Sequence, residues 1–358
     1  MDKSVTNPDG FSQFIDPLGE VVQPLPAFAQ ERDTLISLYR VMVLTRTFDA
    51  KAISLQRTGR LGTYPSSLGQ EAVGVGIGHA MQADDIFAGT YREHAVQLLR
   101  GVTMLEMFLS WGGDERGADY TVPTKDFPPS IPIGSHAPHA VGAALALKLR
   151  GEKNVSVCVF GDGATSKGDV YEAMNVAGVW HLPVLFVVNN NQWAISVPRN
   201  HQSASLTLAQ KAIACGFDGE QVDGNDVVAV RHAVGCALDR IRSGSGPYLV
   251  EALTYRLTDH TTADDASRYR DEEEVSSHWK NDPVVRLRNH LTATHGWSSE
   301  DEEELLAGCN QKVDAAATEY LATEPQSPET IFDYLYQDLP ADLAGPRAAI
   351  LEKGKKNG

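Results

Sequence analysis

The chain has 358 residues, 42% of them hydrophobic, and a formal net charge of −16. It can bury a sizeable core, which excludes a disordered chain, and its acidic balance argues against nucleic acid or an anionic membrane as a partner. No apolar run approaches the roughly 18 residues that would span a bilayer.

Residues 1–32 carry Pro, Gly and Asp without period and read as an extended arm. The arm is acid-rich, with Asp2, Asp9, Asp16 and Glu20 against Lys3, the reverse of an organelle import signal. The four cysteines, Cys158, Cys215, Cys236 and Cys309, are too scattered for a close ligand spacing. A reducing, cytoplasmic setting is therefore expected.

From Asp33 the apolar residues Leu35, Ile36, Leu38, Tyr39, Met42 and Val43 recur with helical spacing, and a long helix is expected toward Leu55. A glycine-rich loop over 59–69 leads into a second, closely packed helix over 71–81. Four prolines over 112–134 mark a long loop of the kind that usually serves function, and a small-residue helix follows over 139–150. VSVCVF, from Val155, reads as a strand covered on both faces; a helix over 169–180 and the strand PVLFVV, from Pro183, complete a βαβ unit. Helices are expected over 206–215 and 225–242, and a strand over 248–255. The alternation predicts an α/β fold with a mainly parallel sheet and helices on both faces, spanning 33–320. The polar stretch after Tyr255 reads as a mobile surface loop, Ser299 and Glu302 have capping-box spacing, and 321–358 reads as a helical C-terminal extension. Trp111, Trp180 and Trp279 read as packing residues, and His136 and His139 as loop or interface histidines without a third metal ligand.

The turn Gly161-Asp162-Gly163 ends a buried strand and opens a helix, where backbone N–H groups can approach a phosphate. It is not a P-loop, because Ser166-Lys167-Gly168 reverses the required order. Nor is it a dinucleotide fingerprint: Ser166 stands at the third glycine, and the second strand ends in Asn189-Asn190-Asn191 instead of a ribose-binding acid. Asp162 and Asn191 offer a carboxylate and an amide oxygen at the ends of neighbouring strands. These are hard donors of the kind Mg²⁺ takes when phosphate oxygens and water complete its shell.

The run GDGATSKGDVYEAMNVAGVWHLPVLFVVNNNQWAIS carries the GDG…NN motif of thiamine diphosphate sites and resembles the alpha subunit of the decarboxylating component of 2-oxo acid dehydrogenase complexes. Gly69-Gln70-Glu71-Ala72, Tyr91-Arg92, VDGND over 222–226 and Asp259-His260-Thr261-Thr262 extend the likeness across 33–339. The resemblance implies the thiamine-diphosphate-binding fold. It also implies that Asp162, the Asn191 side chain and the Trp193 carbonyl hold Mg²⁺, and that Tyr91, Arg92 and His260 hold the diphosphate. Gly163 and Ala164 would add backbone contacts, the main chain of Ile133 would hold the aminopyrimidine, and His260 would have a further catalytic role in acyl transfer. The implied reaction is oxidative decarboxylation of a 2-oxo acid, pyruvate favoured over branched-chain acids or acetoin cleavage. The implied partners are a beta subunit, in an assembly of two alpha and two beta, and a lipoylated acyltransferase. Asn189 departs from the family, which often has Arg or Gln there, so a phosphate contact at that position is not expected.

Overall fold

The run that begins at Val155 is buried throughout and forms an interior strand of the sheet in the computed structural model, which describes residues 11–333 and 335–357. The first ten residues of the expected arm lie outside the described residues. The strands are β1 (Ile86–Ala88), β2 (Ser156–Gly161), β3 (Val184–Asn190), β4 (Trp193–Ala194), β5 (Val197–Pro198), β6 (Gly219–Asp223) and β7 (Tyr248–Leu253). Five form a parallel sheet in the order β1-β2-β3-β7-β6, while β4 and β5 make a small antiparallel pair. Alternation along β2 and β3 feeds two cores. Cys158, Phe160, Phe186 and Val188 pack with helices His136–Arg150 and Gly168–Val179, and Val157, Val159, Leu185 and Val187 pack with Glu71–Ala80 and Val227–Arg242.

Small residues set how closely these layers approach. A Cβ on Gly76 would lie 2.6 Å from Val230 Cγ1, so glycine lets helix Glu71–Ala80 settle onto Val227–Arg242. The long helix Arg32–Arg57 forms where the apolar spacing predicts it, with Leu35, Leu38, Tyr39 and Met42 fully buried.

The described part of the arm is tied to the sheet edge. Ser12 bridges Val222 in parallel, and the Asp226 carboxylate accepts from Phe14 N at 2.7 Å and Ile15 N at 2.9 Å while its other oxygen caps helix Val227–Arg242 through Val228 N.

Several expectations fail locally. Over 206–215 only Lys211–Ala214 is helical: Leu206 is exposed, and the guanidinium of Arg199 holds the carbonyls of Ser205 and Leu206 in an open turn. The capping box is formed by Ser298 and Asp301, one residue earlier than expected. Trp111 packs edge-on to Tyr64, but Trp180 and Trp279 are about half exposed and are not core residues. The stretch after Tyr255 is anchored, because Arg256 is fully buried, Leu257 and Ala266 are buried, and Arg270 donates to the carbonyls of Arg256 and Thr258. Among the described residues no helix is long and apolar enough to cross a membrane.

Candidate active site

The register of the sheet brings the carboxyl ends of three strands together, with Gly161 opposite Asn189 and Asn190 opposite Leu253. At this carboxyl edge, the usual ligand side of a parallel sheet, lies a cavity of about 230 Å³. Tyr91, Arg92, Ile133, Asp162, Gly163, Ala164, Asn191, Trp193 and His260 all line it. Gln70, Thr90, Glu93, Asn189 and Ile195, to which the sequence assigned no role there, line it too. A larger open cleft of about 1250 Å³ lies on the other side of Trp193 and lacks Asp162 and Arg92.

Asp162 begins a 3-10 turn directly after β2 and is almost completely buried, with Oδ2 lacking a hydrogen-bond partner. Burial raises its pKa to about 6. An unpaired buried carboxylate oxygen is costly, and a cation is the group that would satisfy it. Asn191 follows the end of β3; its Oδ1 accepts from Trp193 N at 3.2 Å and its Nδ2 donates to Gln70 Oε1 at 3.0 Å. The turn around Trp193 is tight, with Gln192 at φ 71° and Ile195 at φ 55° in the left-handed region. The two loops touch, since a Cβ on Gly163 would lie 2.9 Å from the Ala194 Cβ.

The opposite wall is cationic. Buried Arg92 donates to the Ser66 and His260 carbonyls, the latter at 2.9 Å, and its Nη2 lies 3.3 Å from His260 Nδ1. Behind it, Arg256 donates to the Ile195 carbonyl and the Tyr269 hydroxyl, leaving Nη1 buried and unpartnered. Other arginines do pair with acids: buried Arg286 meets Asp223, and the partly buried Arg46 and Arg100 meet Glu71 with Asp282 and Asp126, although buried Arg270, like Arg92 and Arg256, is held by carbonyls. Among the described residues neither Arg92 nor Arg256 has such a partner. Guanidinium groups held by neutral oxygens retain charge for an anion, and their planar donor forks suit phosphate.

His260 feels that charge. Burial, then Arg92 and Arg256, lower its pKa to about 4, so the ring is neutral at pH 7. Because Arg92 can only donate, Nδ1 is the acceptor and the proton is assigned to Nε2. Tyr91 stands edge-on to the ring, centroids 6.0 Å apart. Glu93 is buried against Thr90 N and Oγ1, both at 2.7 Å, and desolvation raises its pKa. Asn189 directs its Oδ1 to the Thr254 hydroxyl at 3.1 Å. His136 is a buried structural residue 2.8 Å from the Val159 carbonyl, and His139 stacks on Phe127.

A cavity with one unpaired carboxylate oxygen, a neighbouring amide oxygen and guanidinium groups outside any salt bridge fits a divalent cation carrying a diphosphate. The profile of the dehydrogenase E1 component family matches residues 39–329, and the chain belongs to that family. It is 39% identical over 347 residues to a Staphylococcus aureus protein named pyruvate dehydrogenase E1 component subunit alpha, covering 96% of this chain and 93% of that one. A Mycoplasma genitalium protein of the same name is 37% identical over 336 residues, 94% of each chain. A Mycobacterium tuberculosis protein named 3-methyl-2-oxobutanoate dehydrogenase subunit alpha is 44% identical over 275 residues, 77% of this chain and 75% of that one.

Proposed function

We propose that the chain is the alpha subunit of a thiamine-diphosphate-dependent 2-oxo acid dehydrogenase. The observation that carries this reading is the pairing of Asp162, with its unpartnered Oδ2, and Arg92, without an acid, across one cavity in a member of the E1 family. Asp162, the Asn191 amide oxygen and the Trp193 carbonyl would hold Mg²⁺. Tyr91, Arg92 and His260 would hold the diphosphate, with backbone contacts from Gly163, Ala164 and, toward the aminopyrimidine, Ile133. When bound, thiamine diphosphate supplies the electron sink that lets a 2-oxo acid lose CO₂. The chain's own part is electrostatic and positional. Arg92 neutralises phosphate charge, the buried loops exclude water, and neutral His260 offers an N–H at Nε2 to acyl transfer.

The partners in this reading are a beta subunit, two alpha with two beta, and a lipoylated acyltransferase. Pyruvate is favoured over branched-chain 2-oxo acids, since relatives with the pyruvate name align over nearly the whole chain. The higher identity of the mycobacterial relative over a shorter span keeps 3-methyl-2-oxobutanoate as the runner-up. The test is decarboxylation by the copurified alpha–beta complex with an artificial electron acceptor, comparing the two acids by kcat/KM. Activity should require both thiamine diphosphate and Mg²⁺. Asp162→Ala should abolish Mg²⁺-dependent cofactor uptake while the complex stays assembled; full activity in that variant would remove the site assignment.

A further inference from the structure

An amide can hold a metal only through its oxygen, so something must decide which end of Asn191 faces the cation. Two neighbours do so. Trp193 N is solely a donor, so the atom 3.2 Å from it is Oδ1. That leaves Nδ2 toward Gln70, 3.0 Å away, and requires the oxygen of Gln70 to face it. Turning both amides over would set two donors against each other at Trp193. The remaining end of Gln70, Nε2, is consequently buried with no protein partner, in a side chain that is 3% exposed and lines the cavity.

The backbone that carries Gln70 is fixed from both sides. Gly69, at φ 86°, accepts from Asn225 Nδ2 at 2.9 Å and donates to Glu71 Oε2, and Glu71 is in turn paired with Arg46. A Cβ on Gly69 would lie 2.9 Å from the Tyr255 carbonyl. The Gln70 oxygen therefore comes from a rigid support.

We propose that Gln70 is a positioning residue for the metal: its Oε1 locks the Asn191 amide with the oxygen turned to the cation. This rests on the cofactor reading above and adds to it the group that orients a ligand.

The test uses the alpha–beta complex with Mn²⁺ as probe, free Mn²⁺ being read by electron paramagnetic resonance in the presence of thiamine diphosphate. Groups that orient ligands typically change metal affinity by roughly 10- to 100-fold. Gln70→Met should weaken Mn²⁺ binding in that range, whereas thiamine diphosphate affinity at saturating Mn²⁺ should stay near wild type. Gln70→Glu keeps an oxygen toward Asn191 Nδ2 and should bind Mn²⁺ within about threefold of wild type. Asn191→Asp presents an oxygen whichever way it turns, so in that background Gln70→Met should cost much less; a merely structural loss would be the same in both. Unchanged Mn²⁺ affinity in Gln70→Met, equal losses in the two backgrounds, or a tenfold loss in Gln70→Glu overturns the proposal. If Gln70→Met does not assemble, Gln70→Glu alone decides. Wild-type complex that takes up neither Mn²⁺ nor thiamine diphosphate would sink the cofactor reading itself, a separate result.

Discussion

His260 shows how far a few ångströms of environment move one side chain. Its folded pKa, about 4, lies below the ordinary value of 6.5, so between these pH values the unfolded chain binds the proton first. The stability that His260 contributes is present above pH 6.5 and is lost as pH falls through 6.5 toward 4. Melting temperature should therefore decline less steeply from pH 6.5 to 5 in His260→Gln than in wild type. Histidine NMR should also find this ring titrating near pH 4 without cofactor. Its pKa should rise when diphosphate charge is added or when Arg92→Leu removes the neighbouring cation; a ring titrating near 6.5 throughout would contradict the geometry. Asp162 and Asn191 were legible in the sequence because each punctuates the end of an apolar strand. Gln70 and Arg256 were not. An amide in a glycine turn and a basic residue in a polar stretch resemble solvated groups until tertiary contacts bury them, Arg256 under the Ile195 carbonyl and the Tyr269 ring.

At the scale of elements, long periodic segments were readable and short ones were not. β2, β3 and the helix Arg32–Arg57 carry enough apolar residues to declare their period. β1 has three residues, and β6, GEQVD, is polar over most of its length, so both depend on neighbours already in place. The described arm is an element of the same kind, held by Ser12 on the sheet edge, by Arg286 at the Ile15 carbonyl and by Asp226. Burial raises the pKa of this carboxyl to about 6, and it serves Phe14 N, Ile15 N and Val228 N. Asp226→Ala leaves these donors without their acceptor and should cost about 2 kcal/mol. Limited proteolysis should then cleave near Phe14 much faster than in wild type, and Asp226→Asn should be milder. Equal cleavage rates in Asp226→Ala and wild type would mean that the arm is held elsewhere.

Over the whole molecule the net charge of −16 makes the Arg92 and Arg256 side of the cavity a local exception. Assembly has its own candidate surface on the helix His136–Arg150. A Cβ on Gly142 meets no atom within 4 Å, Leu149 on the same helix is exposed, and exposed Trp180 is tied to the helix through Lys148, which donates to its carbonyl. Gly142→Leu should leave the melting temperature of the isolated chain within about 2 °C, because an exposed helical glycine contributes at most about 1 kcal/mol. If this helix meets another subunit, sedimentation of the alpha–beta complex should shift toward smaller species; an unchanged profile would place the contact elsewhere.

The arm also covers an end of the sheet that would otherwise lie open. β6 pairs with β7 on one side, and on the other its main chain is met by Ser12, which donates to Gln221 O at 3.2 Å and accepts from Asp223 N at 3.0 Å. A recombinant version starting at Ala27 would bare this edge to any passing strand, and open edges invite pairing between copies. Light scattering should therefore reveal aggregation of the shortened protein at concentrations where the full chain stays clear, even though every residue that lines the cavity at the carboxyl edge is still present.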